Sequence, residues 1–123
     1  AYLHAEGFAA GELKHGPIAL VEEGQPVFII VPSKRSRNNL HAKVVSNIQE
    51  VRARGAVTIV IAEDGDTDVE AYADHIIRIP QSAGLMQPLL STIPLQIFAS
   101  SVAEARGLNV DQPRNLAKSV TVE

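Results

Sequence analysis

The sequence predicts an α/β domain built on a parallel sheet, and three observations carry that prediction. Two short β-branched runs, Val27–Val31 and Val57–Ala62, are apolar throughout instead of alternating, as strands covered on both faces are. Between them Leu40, Val44, Ile48 and Val51 recur at helical spacing, while Lys43, Asn47, Glu50 and Arg54 take the opposite face. Strand, helix and strand in that order make a right-handed crossover, the connection that parallel pairing requires.

Each element carries its own boundary chemistry. Gly55 sits where the first helix needs a left-handed cap. A third run, Ile76, Ile77 and Ile79 around Arg78, is half polar and reads as a strand nearer the sheet edge. After it, Met86, Leu90, Ile93 and Ile97 line a second helix that Pro88 starts and Gly107 ends, with Pro94 predicting a kink. Apolar residues cover much of that helix, so it needs cover on several sides, from the sheet and from a partner subunit. Ahead of the first strand, Leu3–Leu13 reads as one short helix broken by Gly7 and Gly11, and Pro32–Asn39 is a polar basic loop. There is no internal repeat and no low-complexity tract.

With 123 residues, 46% of them apolar and 20% charged, the chain suits one small globular domain. Eleven basic against 14 acidic residues leave a net charge of -3, which gives no general attraction to nucleic acid or to anionic membranes. The uncharged stretch from Ile79 to Ala103 holds Pro80, Pro88 and Pro94, three glutamines and five hydroxyl residues, too polar for a spanning helix of roughly 20 apolar residues. Without Cys there is no disulfide, thiolate metal site or cysteine nucleophile, and a reducing cytoplasm is permitted. Ala1–Gly11 has neither a secretory pattern nor an initiator Met, so the chain reads as a piece of a longer polypeptide, truncated on its N-terminal side.

Several motifs are dismissed on chemistry. Asp64, Asp66 and Asp68 alternate like half a calcium loop, but Val69 replaces the required Gly and His75 the closing Glu, leaving a solvated acidic turn. His4 and Glu6 resemble a zinc-deaminase fragment whose cysteines are missing, and the four His are too scattered for a zinc motif, so no metal site is expected. His41 and His75 read as structural or exposed. No G-x-G-x-x-G, Walker or G-x-S-x-G pattern occurs, so nucleotide binding and a hydrolase triad have no motif behind them.

Two segments remain. Gly11-Glu12-Leu13-Lys14-His15-Gly16-Pro17 crowds a carboxylate, an amine and an imidazole into one tight turn, and an imidazole near neutrality both gives and takes a proton. The plain alternative is that His15 packs or caps the turn. The tail from Asp111 to Glu123 is neither Gly/Ser-rich nor a charge block. Its Leu116, Ala117, Val120 and Val122 suit packing against a body with Lys118 facing inward, where a desolvated amine becomes a carbonyl nucleophile. The alternative there is a frayed end with a solvated lysine.

E-L-K-H-G-P (Glu12–Pro17) and D-Q-P-R-N-L-A-K-S-V-T-V-E (Asp111–Glu123), with S-N-I-Q-E-V-R-A-R-G (Ser46–Gly55) and I-P-L-Q (Ile93–Gln96) between them, make the whole chain resemble one family. It is similar to the C-terminal end of the glutamine:fructose-6-phosphate aminotransferases, or glucosamine-6-phosphate synthases. The resemblance implies a three-layer α/β/α fold of the sugar isomerase (SIS) type, with residues 1–123 as most of the second of two SIS halves and 111–123 as a catalytic tail. It further implies fructose-6-phosphate and glucosamine-6-phosphate as ligands, a homodimer, no cofactor, and a glutaminase domain and first SIS half elsewhere in the polypeptide. His15 matches the histidine that opens the fructose ring, reaching the neighbouring subunit's site, and Lys118 the lysine that forms a Schiff base with the ketone. Ala117 and Val120 match substrate-binding tail positions beside the sugar and the ammonia route.

The family's base for the C1 proton is a Glu that would precede Ala1, and its phosphate loop belongs to the first half. The resemblance therefore implies that this chain alone is inactive and leaves apolar surface uncovered. Two other functions fit the sequence: a non-catalytic SIS module that binds sugar phosphates, and a dimerisation element acting through the Met86–Ala103 helix.

Overall fold

Three parallel strands and two long helices form the regular part of the computed structural model, which describes residues 1–36 and 39–115. In chain order they are β1 (Pro26–Ile30), α1 (Leu40–Arg52), β2 (Val57–Glu63), β3 (His75–Ile79) and α2 (Gln87–Ala105), preceded by two 3-10 turns at Leu13–His15 and Pro17–Leu20. The strand order is β1-β2-β3, with Val27 opposite Thr58 and Ile61 opposite Ile77. The crossover from β1 through α1 to β2 is the unit that the apolar runs predict. Pro26 opens β1, a position where its missing N–H is tolerated, and Val31 still donates to Ile61 O at 2.9 Å beyond the strand.

The core forms where α1 lies on the sheet. Val31, Ile48, Val60, Ala62 and Val69 are buried together, and Val44, Val45, Tyr72 and Ile76 pack around them. Ile48 and Val51 are buried as their helical spacing requires, whereas Leu40, at the head of the same stripe, stays 43% exposed. Gly55, three residues past α1, has φ +84, and a Cβ there would stand 3.1 Å from Glu23 Cα. Only glycine permits both that conformation and the approach of the turn entering β1, where Gly24 N donates to Gly55 O at 2.8 Å.

Three expectations are corrected. Cover on both faces holds for β2, most of which is buried, but β1 is an edge strand among the described residues and its Ile30 is 45% exposed. Leu3–Leu13 does not form a helix: residues 1–9 have no regular structure and only a 3-10 turn at Leu13–His15 follows. Gly7 and Gly11 weaken any helix there, and the apolar side chains that would anchor it, Leu3 and Phe8, are themselves about half exposed. α2 forms, passes through Pro94 without interruption, and closes at Gly107 (φ 67) with Gly107 N to Glu104 O and Leu108 N to Ala103 O, both 2.9 Å. Its inward face, however, is Gln87, Ser91 and Ala103, while Met86, Ile93 and Ile97 are exposed. A polar residue is turned inward because the end of β1 has backbone groups to satisfy, as described below.

The burial of Ile48 at 0% exposure gives a direct test. Ile48→Ala is expected to lower unfolding free energy by about 2–5 kcal/mol, since β2 and α1 cannot close over the lost volume. Urea denaturation should show a lower midpoint with an unchanged slope.

Candidate functional site

Because β1, β2 and β3 are parallel, the segments that leave them emerge at one edge of the sheet, where open α/β sheets form their crevices. Glu63 ends β2 and is 7% exposed. Its Oε2 accepts a hydrogen bond from Ser33 Oγ at 2.8 Å and another from the Arg35 guanidinium at 3.3 Å, and its Oε1 accepts from Ser82 N at 3.3 Å. Gln87, opening α2, donates its amide to Val31 O at 2.9 Å and accepts from Ser33 N at 3.1 Å. A buried carboxylate is costly unless paired and hydrogen-bonded, and here a hydroxyl, a guanidinium and a peptide amide share it. The loops after all three strands are thereby tied together. Ser82 Oγ is buried beside this knot with no hydrogen-bond partner among the described residues.

A second cluster lies against the first turn of α1. His41 Nε2 is 2.6 Å from Asp66 Oδ2, and both side chains are buried. Asp66 Oδ1 is 3.1 Å from Lys34 Nζ, which also meets Asp68 Oδ1 at 2.9 Å. The acidic turn is therefore solvated at Asp64 and Asp68 but not at Asp66, because the turn folds back onto the head of α1. Burial works against the charge on Asp66, yet the hydrogen bonds from His41 and Lys34 outweigh it and hold its carboxyl below the usual carboxylate range. Lys34 is raised above the ordinary lysine value by Asp68 first and Asp66 second.

His41, Asp66 and Asp68 offer donor atoms within 4.8 Å of one another, a set that a divalent cation uses, but the Lys34 ammonium already bridges both aspartates. The chain thus supplies its own cation. An open depression of ≈ 370 Å³ beside the cluster is lined in part by His41, Ser46, Gln49, Asp68 and Tyr72.

Of the residues singled out from sequence, His15 ends the first 3-10 turn, exposed, with no side-chain hydrogen bond among the described residues. Glu12 and Lys14 are exposed as well, and no ion pair joins them to His15. Gly16 separates the two 3-10 turns at φ 155, ψ -58. Lys118, Ala117 and Val120 lie outside the described residues. At the start of the tail, Arg114 N donates to the Tyr2 hydroxyl, and the Arg114 guanidinium lies 4.6 Å from the centre of the Tyr2 ring.

The model of the SIS domain matches residues 1–104. The chain belongs to the SIS family. All 123 residues align at 82% identity with the isomerizing glutamine--fructose-6-phosphate aminotransferase of Corynebacterium diphtheriae and at 69% with that of Mycobacterium tuberculosis, covering 20% of each. The chain thus spans about a fifth of the length of the curated relatives it matches. Among solved structures, the C-terminal domain of glucosamine-fructose-6-phosphate aminotransferase from Francisella tularensis superposes with a TM-score of 0.76 at 36% identity, over 90% of this chain and 30% of that one. The SIS assignment agrees with the three-layer α/β/α reading, of which the parallel sheet and the crossover helix are present here.

Sequence reasoning missed the Ser33–Glu63–Gln87 knot and the Lys34–His41–Asp66 cluster. Their members come from different elements with no shared spacing, and the only advance signal was the basic loop facing an acidic turn.

A carboxyl held below its usual range in the folded state favours folding above the ordinary value of 3.8, and that contribution fades as pH falls through the lower folded value. On acidification from about pH 4 downward, thermal unfolding should therefore show a steeper loss of stability in the native chain than in Asp66→Asn. At neutral pH the variant should be less stable by about 1–3 kcal/mol.

Proposed function

We propose that this SIS chain is the C-terminal isomerase portion of an enzyme that makes glucosamine-6-phosphate from fructose-6-phosphate and glutamine. The observation that carries the reading is identity of 69–82%, over every residue of the chain, with proteins bearing the aminotransferase name. Lys118 is the nucleophile: its amine adds to the ketone at C2, water leaves, and an iminium forms. Ammonia then displaces the lysine at C2, and transfer of a proton from C1 to C2 gives the aldose amine. His15 opens the ring beforehand, delivering a proton to the ring oxygen as the anomeric hydroxyl loses one. Ala117 and Val120 shield the imine, because a wet site hydrolyses it.

Ammonia, the phosphate loop and the C1 base come from parts of the polypeptide outside this chain, so the chain alone does not catalyse the reaction. The enzyme is a homodimer of the cytoplasm. The exposure of His15, with no side-chain partner of its own among the described residues, supports its use in a neighbouring subunit. Leu89, Ile93 and Ile97 recur every fourth residue along exposed surface of α2, and Leu85 just ahead of the helix is exposed too, supporting cover by another part of the assembly. No helix among the described residues is long and apolar enough to cross a membrane.

Borohydride added to the full-length protein with fructose-6-phosphate is expected to leave a sugar adduct on Lys118, located by peptide mass mapping. An adduct on a different residue, or none, overturns the assignment. Lys118→Ala should reduce amination more than about a thousandfold, whereas a sugar-phosphate sensor would keep its ligand response. His15→Ala should slow turnover by about 10²–10⁴-fold.

A further inference from the structure

We propose that Tyr2, Arg106 and Arg114 form a clasp that fixes the start of the lysine-bearing tail, and that Tyr2 is thereby a positioning residue for Lys118; this rests on Lys118 being the Schiff-base amine. Arg106 stands at the C-cap of α2 and donates to Ala1 O at 2.8 Å and to Tyr2 O at 3.3 Å, which holds the first two residues at the end of that helix. Beyond the Gly107 turn, Asn109 Oδ1 accepts from Asp111 N at 3.0 Å and Gln112 N at 2.9 Å and bends the chain again.

Arg114 then meets Tyr2 twice, through its backbone N–H to the hydroxyl and through its guanidinium over the ring face. Tyr2 adopts φ 53, a left-handed conformation that aromatic residues seldom take, and the contacts on its carbonyl, hydroxyl and ring hold it there. Asn115, at φ 62, turns the chain directly after the clasp.

Lys118 follows Asn115 by three residues, so no more than about 11 Å of extended chain separates their Cα atoms. The clasp therefore anchors the short tether on which the amine is carried. A tether without an anchor samples more positions, and an amine it carries reaches a bound ketone less often. The phosphate of the sugar is held elsewhere, so loss of the clasp should slow imine formation and leave sugar affinity unchanged.

The test uses the full-length enzyme that contains this chain, with Tyr2→Leu, Tyr2→Phe, Arg114→Lys and Lys118→Ala. Circular dichroism and thermal midpoint establish that each variant is folded, and borohydride trapping of the sugar adduct at saturating fructose-6-phosphate gives the rate of imine formation. Tyr2→Leu should trap at least about tenfold more slowly with KM within about twofold of the parent. Tyr2→Phe, which keeps the ring under the guanidinium, should recover most of that rate, and Arg114→Lys should fall between.

Should Tyr2→Leu fail to fold, Arg114→Lys decides: a parental trapping rate in that variant overturns the clasp, and a slower rate with unchanged KM supports it. Parental trapping in a folded Tyr2→Leu, or a loss expressed entirely in KM, overturns it as well. Undiminished amination in Lys118→Ala overturns the underlying assignment of the amine instead, so the two failures are distinct.

Discussion

Where a strand runs out into buried residues, as β1 does at Val31 and Ser33, the last backbone groups lose their neighbours and something must answer them. At the end of β1 the answer comes from α2: the Gln87 side chain binds Val31 O and Ser33 N, more than fifty residues away in sequence. This contact fixes the rotation of α2 about its own axis. It places Ser91 and Ala103 inward with Gln87 and leaves Leu89, Ile93 and Ile97 outside. An apolar helix with its polar residue inside leaves a row of apolar side chains on its outer face, the kind of surface that marks interaction sites.

The same requirement explains the ionic groups at the strand ends. Glu63 closes β2 in a buried position and draws Ser33, Arg35 and Ser82 onto its two oxygens. Asp66, three residues later, draws His41 from α1 and Lys34 from the loop after β1. Each carboxylate binds partners from a different element, so removing one partner would leave a buried charge poorly answered, a larger penalty than the net worth of the bond itself. Arg78 extends the pattern along β3, donating to Asp66 O at 2.7 Å and to Glu70 Oε1 at 2.8 Å. Neighbouring strands and loops are thus locked in register by polar contacts as well as by the core beneath them.

The first and last described segments meet on the opposite terms, at the surface. Tyr2 and Arg106 hold the beginning, Arg114 is stacked on Tyr2, and the tail departs from that point. Exposed contacts of this kind contribute little to global stability, being solvated and screened. Their proposed value is local, in where the chain after Asn115 begins. The buried knot ties the sheet edge together, while the surface clasp holds residues 1–2 and 114 against each other and, in the proposed reading, sets where the tail begins.

Local pattern alone was enough for the α/β class, for α1 with its Ile48 and Val51 face, for β2, and for the Gly107 closure of α2, because each depends on spacing within one segment. Lys118 and His15 are candidates read from short motifs, and of these only His15 lies among the described residues, exposed at the end of a 3-10 turn. The sequence could not show that Leu3–Leu13 stays irregular, that β1 is half exposed, or that α2 buries Gln87 instead of Met86 and Ile97. Those outcomes, like the Asp66–His41 pair and the Tyr2–Arg114 stack, turn on which distant residues arrive beside a given group. Periodicity reports a segment's preference for water or for oil, but the identity of a buried polar partner is decided only when the chain has closed on itself.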